Sequence, residues 1–106
     1  MSKYLIQANY VGEGIKGLLK EGGSSRRAAV EKLLGSLGGK VEAFYYAFGD
    51  TDLFIIADMP DNVTAAALSL TTNAPGTATA KITVLLTAEE IDAATKKTPS
   101  YRAPGQ

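Results

Sequence analysis

The sequence predicts an α+β domain built around one four-stranded antiparallel sheet. Two hydrophobic patterns alternate along the 106 residues. In some segments every second residue is apolar, which is typical of strands, and in others apolar residues recur three and four positions apart, which is typical of helices. Read in order, the segments follow a β-α-β-β-α-β plan, with glycine, proline, asparagine or aspartate near their boundaries. A chain of this length is expected to form a single domain.

The first third of the chain is predicted to hold one strand and one well-formed helix. Residues Lys3–Tyr10 alternate between polar and apolar side chains and read as a strand. Val11–Lys20 has helical spacing, but its glycines favour only a short, weak turn of helix. A better helix is expected from Arg26 to about Leu37, capped by Ser24 or Ser25. Its buried face is predicted to consist of Ala29, Val30, Leu33, Leu34 and Leu37.

A hairpin follows, formed by strands Lys40–Phe48 and Asp52–Met59 and ended by Pro60. Asp61 or Asn62 is expected to cap a helix that runs to about Thr72. The residues predicted on its buried side are Val63, Ala66, Ala67 and Leu70.

Ala78–Leu86 is predicted to be the last strand, and Thr87 is predicted to cap a final helical turn. The complete order is the split βαβ, ferredoxin-like plan. Residues 1–95 are therefore assigned to a ferredoxin-like domain and residues 96–106 to an extended C-terminal tail.

Composition excludes several classes of function. Eleven basic residues balance eleven acidic ones, which gives no electrostatic case for nucleic acid or an anionic membrane surface as a partner. The chain has neither histidine nor cysteine, so the usual base near neutral pH and the soft metal ligands are missing. Zinc and other soft metals therefore have no plausible site and only an all-oxygen site would remain. We expect neither a metal nor a cofactor. The first ten residues read as a strand and Leu53–Ala57 is too short to span a bilayer, which predicts a soluble, cytoplasmic protein.

Side-chain alternation divides the predicted sheet into two faces. One is apolar and rich in alanine, which suits a face covered by helices. The other mixes aromatic and aliphatic side chains with polar ones, and apart from the tail no element is left to cover it. We expect this second face to hold Leu5, Gln7, Asn9, Glu42, Phe44, Tyr46, Phe48, Phe54, Ile56, Asp58, Thr79, Lys81, Thr83 and Leu85. Because so large an apolar patch is unusual on a soluble monomer, the sequence predicts a homodimer closed through its sheets.

The polar groups on that face need partners once it is buried. Pairing between subunits, for instance of Lys81 with Glu42 or Asp58, is one interpretation. A pocket for a small hydrophobic molecule is the other, because such pockets are apolar with a few placed polar groups. The acids of the turn Gly49–Asp52 have three interpretations. They stabilise the turn, or Asp52 lies at the mouth of a site and points toward a ligand or an adjacent subunit. The third is cation binding by the acid pair, for which two acids with no further acid before Asp58 are a poor ligand set. The ligand-binding candidates are Asn9, Phe44, Tyr46, Asp52, Phe54, Lys81 and Thr83.

Four stretches carry a resemblance to a known family: Y4-L-I-Q-A-N-Y10 with Gly14, L37-G-G-K-V41, F44-Y-Y-A-F-G-D-T-D-L-F-I-I56 and S100-Y-R-A-P-G105. In their order and spacing they resemble the GYD-domain family. Thr51 stands where the Gly-Tyr-Asp signature has tyrosine, so a role for a phenol does not carry over to this position, whereas Gly49 and Asp52 match. The resemblance implies the dimeric α/β-barrel class, in which two ferredoxin-like sheets face each other around a cavity.

Members of this family are mostly of uncharacterised function, and the fold alone does not select an activity. We expect a homo-oligomeric module that binds a small molecule or has a structural role. The alternative is a cofactor-independent monooxygenase or isomerase acting on a small hydrophobic substrate, so whether the chain is an enzyme stays open. A third possibility is an assembly subunit whose dimers stack into larger rings.

Overall fold

The computed structural model describes residues 1–106 and confirms the predicted fold class. The strands are β1 (Ser2–Tyr10), β2 (Lys40–Tyr46), β3 (Leu53–Met59) and β4 (Ala78–Leu85). The helices are α1 (Glu13–Glu21), α2 (Gly23–Ser36), α3 (Asn62–Asn73) and α4 (Ala88–Thr95). All strand pairs are antiparallel, and the strand order β2-β3-β1-β4 is that of a ferredoxin-like sheet.

The helices of the first crossover differ from the prediction in two respects. α1 is a regular helix of nine residues rather than a weak turn, and α2 begins at Gly23, before both serines expected to cap it. Gly22 separates the two helices with φ of 80°, a conformation that favours glycine, and no side chain caps α2. The serine cap was wrong because this glycine turns the chain from one helix directly into the next.

α2 and α3 pack on one face of the sheet and enclose the core. All twelve buried side chains are apolar or aromatic. They are Tyr4, Ile6, Ala8, Val30, Leu34, Phe44, Leu53, Ile55, Ala57, Met59, Ala65 and Leu68. The core therefore collects alternate residues of β1 and β3 together with one side of each helix, as the strand pattern indicates.

The buried side predicted for α3 is wrong. Ala65 and Leu68 are the buried residues of this helix, whereas Val63 is 80% exposed and Leu70 is 73% exposed. Ala66 and Ala67 are exposed as well, and so is Ala29 of the predicted α2 face. An alanine-rich helix presents small apolar groups all round, so its sequence defines the direction of the core weakly. The predicted cap of α3 is confirmed, since the amide of Thr64 donates to Oδ1 of Asp61 over 2.8 Å.

The segment after β4 lies apart from the core. α4 is stabilised by a capping box, in which Thr87 accepts from the amide of Glu90 and the Glu90 side chain accepts from the amide of Thr87. No residue of α4 is buried, and in residues 96–106 only Ala103 is partly shielded from solvent. We call residues 87–106 the C-terminal arm. None of the helices is both long and apolar enough to cross a membrane.

Candidate functional site

The face of the sheet opposite α2 and α3 is uncovered, and we call it the open face. Residues paired across the strands point to the same side, so the register assigns its members. By register its side chains are Lys3, Leu5, Gln7, Asn9, Lys40, Ala43, Tyr45, Phe54, Ile56, Asp58, Thr79, Lys81, Thr83 and Leu85. The bulged residue Glu42 reaches the same face through its hydrogen bond with Lys3. Tyr45 is 72% exposed and Phe54 is 37% exposed, while Leu5, Ile56 and Leu85 are half-buried. An apolar strip therefore runs across the open face with polar groups on either side.

A β-bulge in β2 corrects the predicted positions of two candidate residues. The register shifts between Val41 and Ala43, so that Phe44 pairs with Ile55 and Tyr46 pairs with Leu53. Both partners face the helices. Phe44 is therefore a core residue at 9% exposure, and its ring meets the ring of Tyr46 edge to face with centroids 5.3 Å apart. The placement of Phe44 and Tyr46 on the open face was wrong, because one extra residue in a strand exchanges its faces.

The hairpin turn is fastened to the end of β1 by Asp52. The Asp52 amide donates to Oδ1 of Asn9 over 2.9 Å and to the carbonyl oxygen of Ala8 over 3.1 Å. The Asp52 carboxylate in turn accepts from the amide of Tyr10 over 3.0 Å. Within the turn, the amide of Ala47 donates to the carbonyl oxygen of Asp52 over 2.8 Å. Asp52 thus holds the turn in place, and its carboxylate already has a backbone partner.

A polar cleft results where this turn meets the open face. Its volume is about 190 Å³, and no hydrophobic side chain lines it. We call it the turn cleft, and its lining residues are Gln7, Asn9, Asp50, Thr51, Thr79 and Lys81. β1 and β4 provide the floor and the turn provides the wall. The cleft brings together two of the predicted candidates, Asn9 and Lys81.

An ion cluster occupies the opposite end of the open face. Lys3 Nζ lies 2.9 Å from Oε2 of Glu42 and 3.0 Å from Oδ1 of Asp58. These two hydrogen bonds raise the pKa of Lys3 above its usual 10.5. In this protomer the acids proposed as partners of Lys81 are therefore bound by Lys3 instead. Lys3 has the same parity as Leu5 in β1, which is the signal that could have placed it on this face.

A second cavity lies on the other side of the sheet, between α2 and α3. It measures about 60 Å³ and is lined almost wholly by apolar side chains. Tyr10 and Arg26 line both this cavity and an adjoining polar cleft of about 360 Å³. The Tyr46 hydroxyl donates to the carbonyl oxygen of Gly23 over 2.9 Å. Burial and, secondly, the nearby Tyr10 raise the pKa of Tyr46 above 10.0.

The predicted candidates thus separate into three environments. Asn9 and Lys81 line the turn cleft, while Phe54 and Thr83 lie on the open face beyond it. Asp52 supports the turn from behind, and Phe44 and Tyr46 lie on the helix-covered face. The candidate list omitted four residues of the cleft, which are Gln7, Asp50, Thr51 and Thr79. Gln7 and Thr79 could be placed on the open face by parity, but no pattern in the sequence predicts that the turn folds over them.

These features define a ferredoxin-like α+β protein with one helix-covered and one uncovered sheet face. The family model of the GYD domain matches residues 4–95, which is most of the chain. The chain therefore belongs to the GYD domain family, which is part of the dimeric α/β-barrel superfamily. No curated protein and no solved structure shows a significant match to the chain.

Proposed function

We propose that this chain is a homodimeric small-molecule-binding module in which the open faces of two copies enclose the ligand. The observation that carries the proposal is the apolar strip on a sheet face that no element of the chain covers. Apolar patches of this kind mark interaction sites on soluble proteins. Sheets that pack face to face bury such strips at a spacing of about 10 Å.

A second copy is the partner that best suits this face. An isologous interface places the same surface on both sides, so the apolar strip of one protomer meets the strip of the other. Membership of the dimeric α/β-barrel superfamily supports the same arrangement. The space for a ligand would then be the turn cleft and the adjoining strip, which includes Phe54.

The side chains whose pKa is clearly shifted lie outside the turn cleft, and none of them is poised as an acid or base near neutral pH. Three side chains have a clearly shifted pKa: Lys3 and Tyr46 are raised and Asp61 is lowered. Each shift stabilises the protonation state that the group already has at neutral pH. A general acid or base works best with a pKa near the operating pH, and these shifts lead away from it.

Solution mass tests the proposal. Light scattering is expected to give twice the chain mass of 11.1 kDa for the unmodified protein and the single mass for Phe54→Glu. The substitution buries two carboxylates in an apolar interface, which is strongly unfavourable. Leu19→Glu is the matched control, since Leu19 is 81% exposed on α1 and remote from the open face, and it should remain dimeric. If the unmodified protein is monomeric at about 0.1 mM, the proposal is overturned, because a specific dimer is expected to have a dissociation constant below that concentration.

The cavity between α2 and α3 favours a second candidate, a cofactor-independent monooxygenase or isomerase for a small hydrophobic substrate. At about 60 Å³ the cavity is smaller than the roughly 150 Å³ void that holds benzene in an apolar core. A larger substrate would require α2 and α3 to separate or would extend into the adjoining cleft of about 360 Å³. Benzene titrated into labelled protein is expected to leave the methyl resonances of Val30 and Leu33 unmoved if the first proposal holds. Saturable shifts at those methyl groups would favour the second candidate.

A further inference from the structure

The two ends of the open face differ in how their charges are compensated. At one end Lys3 is held by two carboxylates. At the other end Lys81 and Asp50 both line the turn cleft, yet neither belongs to any of the five ion pairs of the chain. The cleft thus contains one free cation and one free anion, with no carboxylate oxygen within 4.0 Å of the Lys81 ammonium.

The neutral groups of the cleft are available as well. The side chains of Gln7, Thr51 and Thr79 make no hydrogen bond within the protein, and Asn9 uses only its oxygen. Together they provide amide and hydroxyl donors and acceptors between the two charges. On the dimer proposed above, a second sheet would shield these groups from water. Asp50 and Lys81 are exposed in the single protomer. Once the partner sheet shields them, each charge needs a partner of opposite sign, which a polar occupant of the cleft supplies.

An apolar surface adjoins the cleft at a defined position. In the register of the sheet, Gln7 of β1 lies between Phe54 of β3 and Lys81 of β4 on the same face. A molecule bound to the cleft at Gln7 therefore has an aromatic ring beside it, on the side away from Lys81. Phe54 is 37% exposed and is free to pack against an apolar group.

We propose that the turn cleft binds a small zwitterion of the α-amino-acid type with an apolar side chain. This inference rests on the proposed function, because the partner sheet provides the shielding. The ligand carboxylate binds the Lys81 ammonium and the ligand ammonium binds the Asp50 carboxylate. The apolar side chain packs on Phe54. The cleft of about 190 Å³ is smaller than the pockets of drug-sized ligands, and it has to hold only the charged end of the molecule, since the side chain packs outside it on Phe54.

The cleft is largely formed before any ligand arrives. The wall that carries Asp50 is fastened through Asp52 to Ala8, Asn9 and Tyr10 by three hydrogen bonds of 2.9 to 3.1 Å. A wall held in this way loses little conformational entropy on binding, which favours affinity.

Three matched probes test the assignment by amide chemical-shift titration of the full-length protein. L-leucine carries both charges, 4-methylpentanoate carries only the carboxylate and 3-methylbutylamine carries only the ammonium. L-leucine is expected to produce saturable shifts at Gln7, Thr79 and Lys81 and to bind about tenfold or more tightly than either half-molecule, the change that one charged hydrogen bond gives.

Variants separate the two charges. Lys81→Met and Asp50→Asn should each weaken L-leucine binding about tenfold or more. Lys32→Met is the control, since Lys32 is exposed on α2 and outside every ion pair, and it should bind as the unmodified protein does. Far-ultraviolet circular dichroism establishes that each variant is folded. Equal affinity for L-leucine and 4-methylpentanoate, an unaffected Asp50→Asn variant, or no saturable shift would overturn the zwitterion assignment.

Light scattering on the same samples keeps the two proposals apart. A dimer that fails to bind L-leucine contradicts the ligand assignment and leaves the proposed assembly intact. A monomer at the titration concentration contradicts the proposed assembly, whatever the probes do.

Discussion

Gly14 is the glycine whose replacement by alanine should destabilise the fold most. It lies in the first turn of α1, beside the chain segment that enters β4. A Cβ added at Gly14 would overlap the carbonyl oxygen of Thr77, which accepts a hydrogen bond from the amide of Val11 over 2.9 Å. Gly14→Ala must therefore push α1 away from β4 and break or lengthen that bond.

The expected loss follows from three contributions. Overpacking costs about 1–3 kcal/mol, and the weakened backbone hydrogen bond costs about 0.5–1.5 kcal/mol. The better helix propensity of alanine returns about 1 kcal/mol. We expect a net destabilisation of about 2 kcal/mol, which lowers the melting temperature of a domain this size by roughly 8–16 °C.

Gly17 is a control in the same helix, because a Cβ added there meets nothing within 4 Å. Gly17→Ala should raise the stability by about 0.5–1 kcal/mol. Thermal unfolding followed by circular dichroism measures both variants, at one protein concentration because a dimer would make the melting temperature concentration-dependent. If Gly14→Ala melts at or above the temperature of Gly17→Ala, the close approach of α1 to Thr77 is wrong.

Three further predictions address the end of the first crossover, the α3 cap and the turn. Gly39→Ala would place Cβ 2.7 Å from Sδ of Met59 and should lower the free energy of unfolding in urea by about 1–3 kcal/mol. A Cβ added at Gly35 meets nothing within 4 Å, so Gly35→Ala should raise the free energy of unfolding by about 0.5–1 kcal/mol. Equal effects of the two substitutions would contradict the close packing of Gly39 against Met59. Hydrogen bonds from the Thr64 hydroxyl and amide hold the pKa of Asp61 below 3.8. The Asp61 carboxylate therefore stabilises the fold above its unfolded pKa, and this stabilisation is lost as the pH falls through its pKa in the folded protein. Asparagine at position 61 also caps the helix but does not titrate. Between about pH 5 and pH 3 the urea midpoint of the unmodified protein should therefore fall further than that of Asp61→Asn. Midpoints that fall in parallel would refute the role of Asp61. Asp52→Ala should accelerate amide hydrogen exchange at Tyr10, whose amide loses its 3.0 Å acceptor, and unchanged protection there would show that the turn is held by other contacts.

The sequence predicted the fold class because strand periodicity is a strong signal in this chain. β1 and β3 alternate without interruption, and their core residues Tyr4, Ile6, Ile55 and Ala57 are all buried as the parity requires. A single interruption was enough to mislead in β2. The bulge after Val41 has no glycine or proline to mark it, so parity carried on from Val41 placed Phe44 and Tyr46 on the wrong face.

From the sequence, only the sheet face that carries the candidate site could be predicted, and not the cleft itself. Asn9, Phe54, Lys81 and Thr83 lie on the open face because their strands keep a regular register. The turn cleft depends on where a loop folds in three dimensions, and the hydrogen bonds that decide this join Asp52 to residues more than forty positions earlier. Local turn chemistry explains why aspartate occurs in a turn, but it does not identify a partner so distant in sequence.

The C-terminal arm has a consequence for measuring the assembly. A compact chain of this length has a radius of gyration of about 13 Å, whereas the arm extends this protomer to 57 Å in its longest dimension and to a radius of gyration of 17.0 Å. A protomer of that shape diffuses as a larger body than its mass implies. On a gel-filtration column a single chain would elute early, toward the position of a compact dimer, so only a method that weighs the particle can count its subunits.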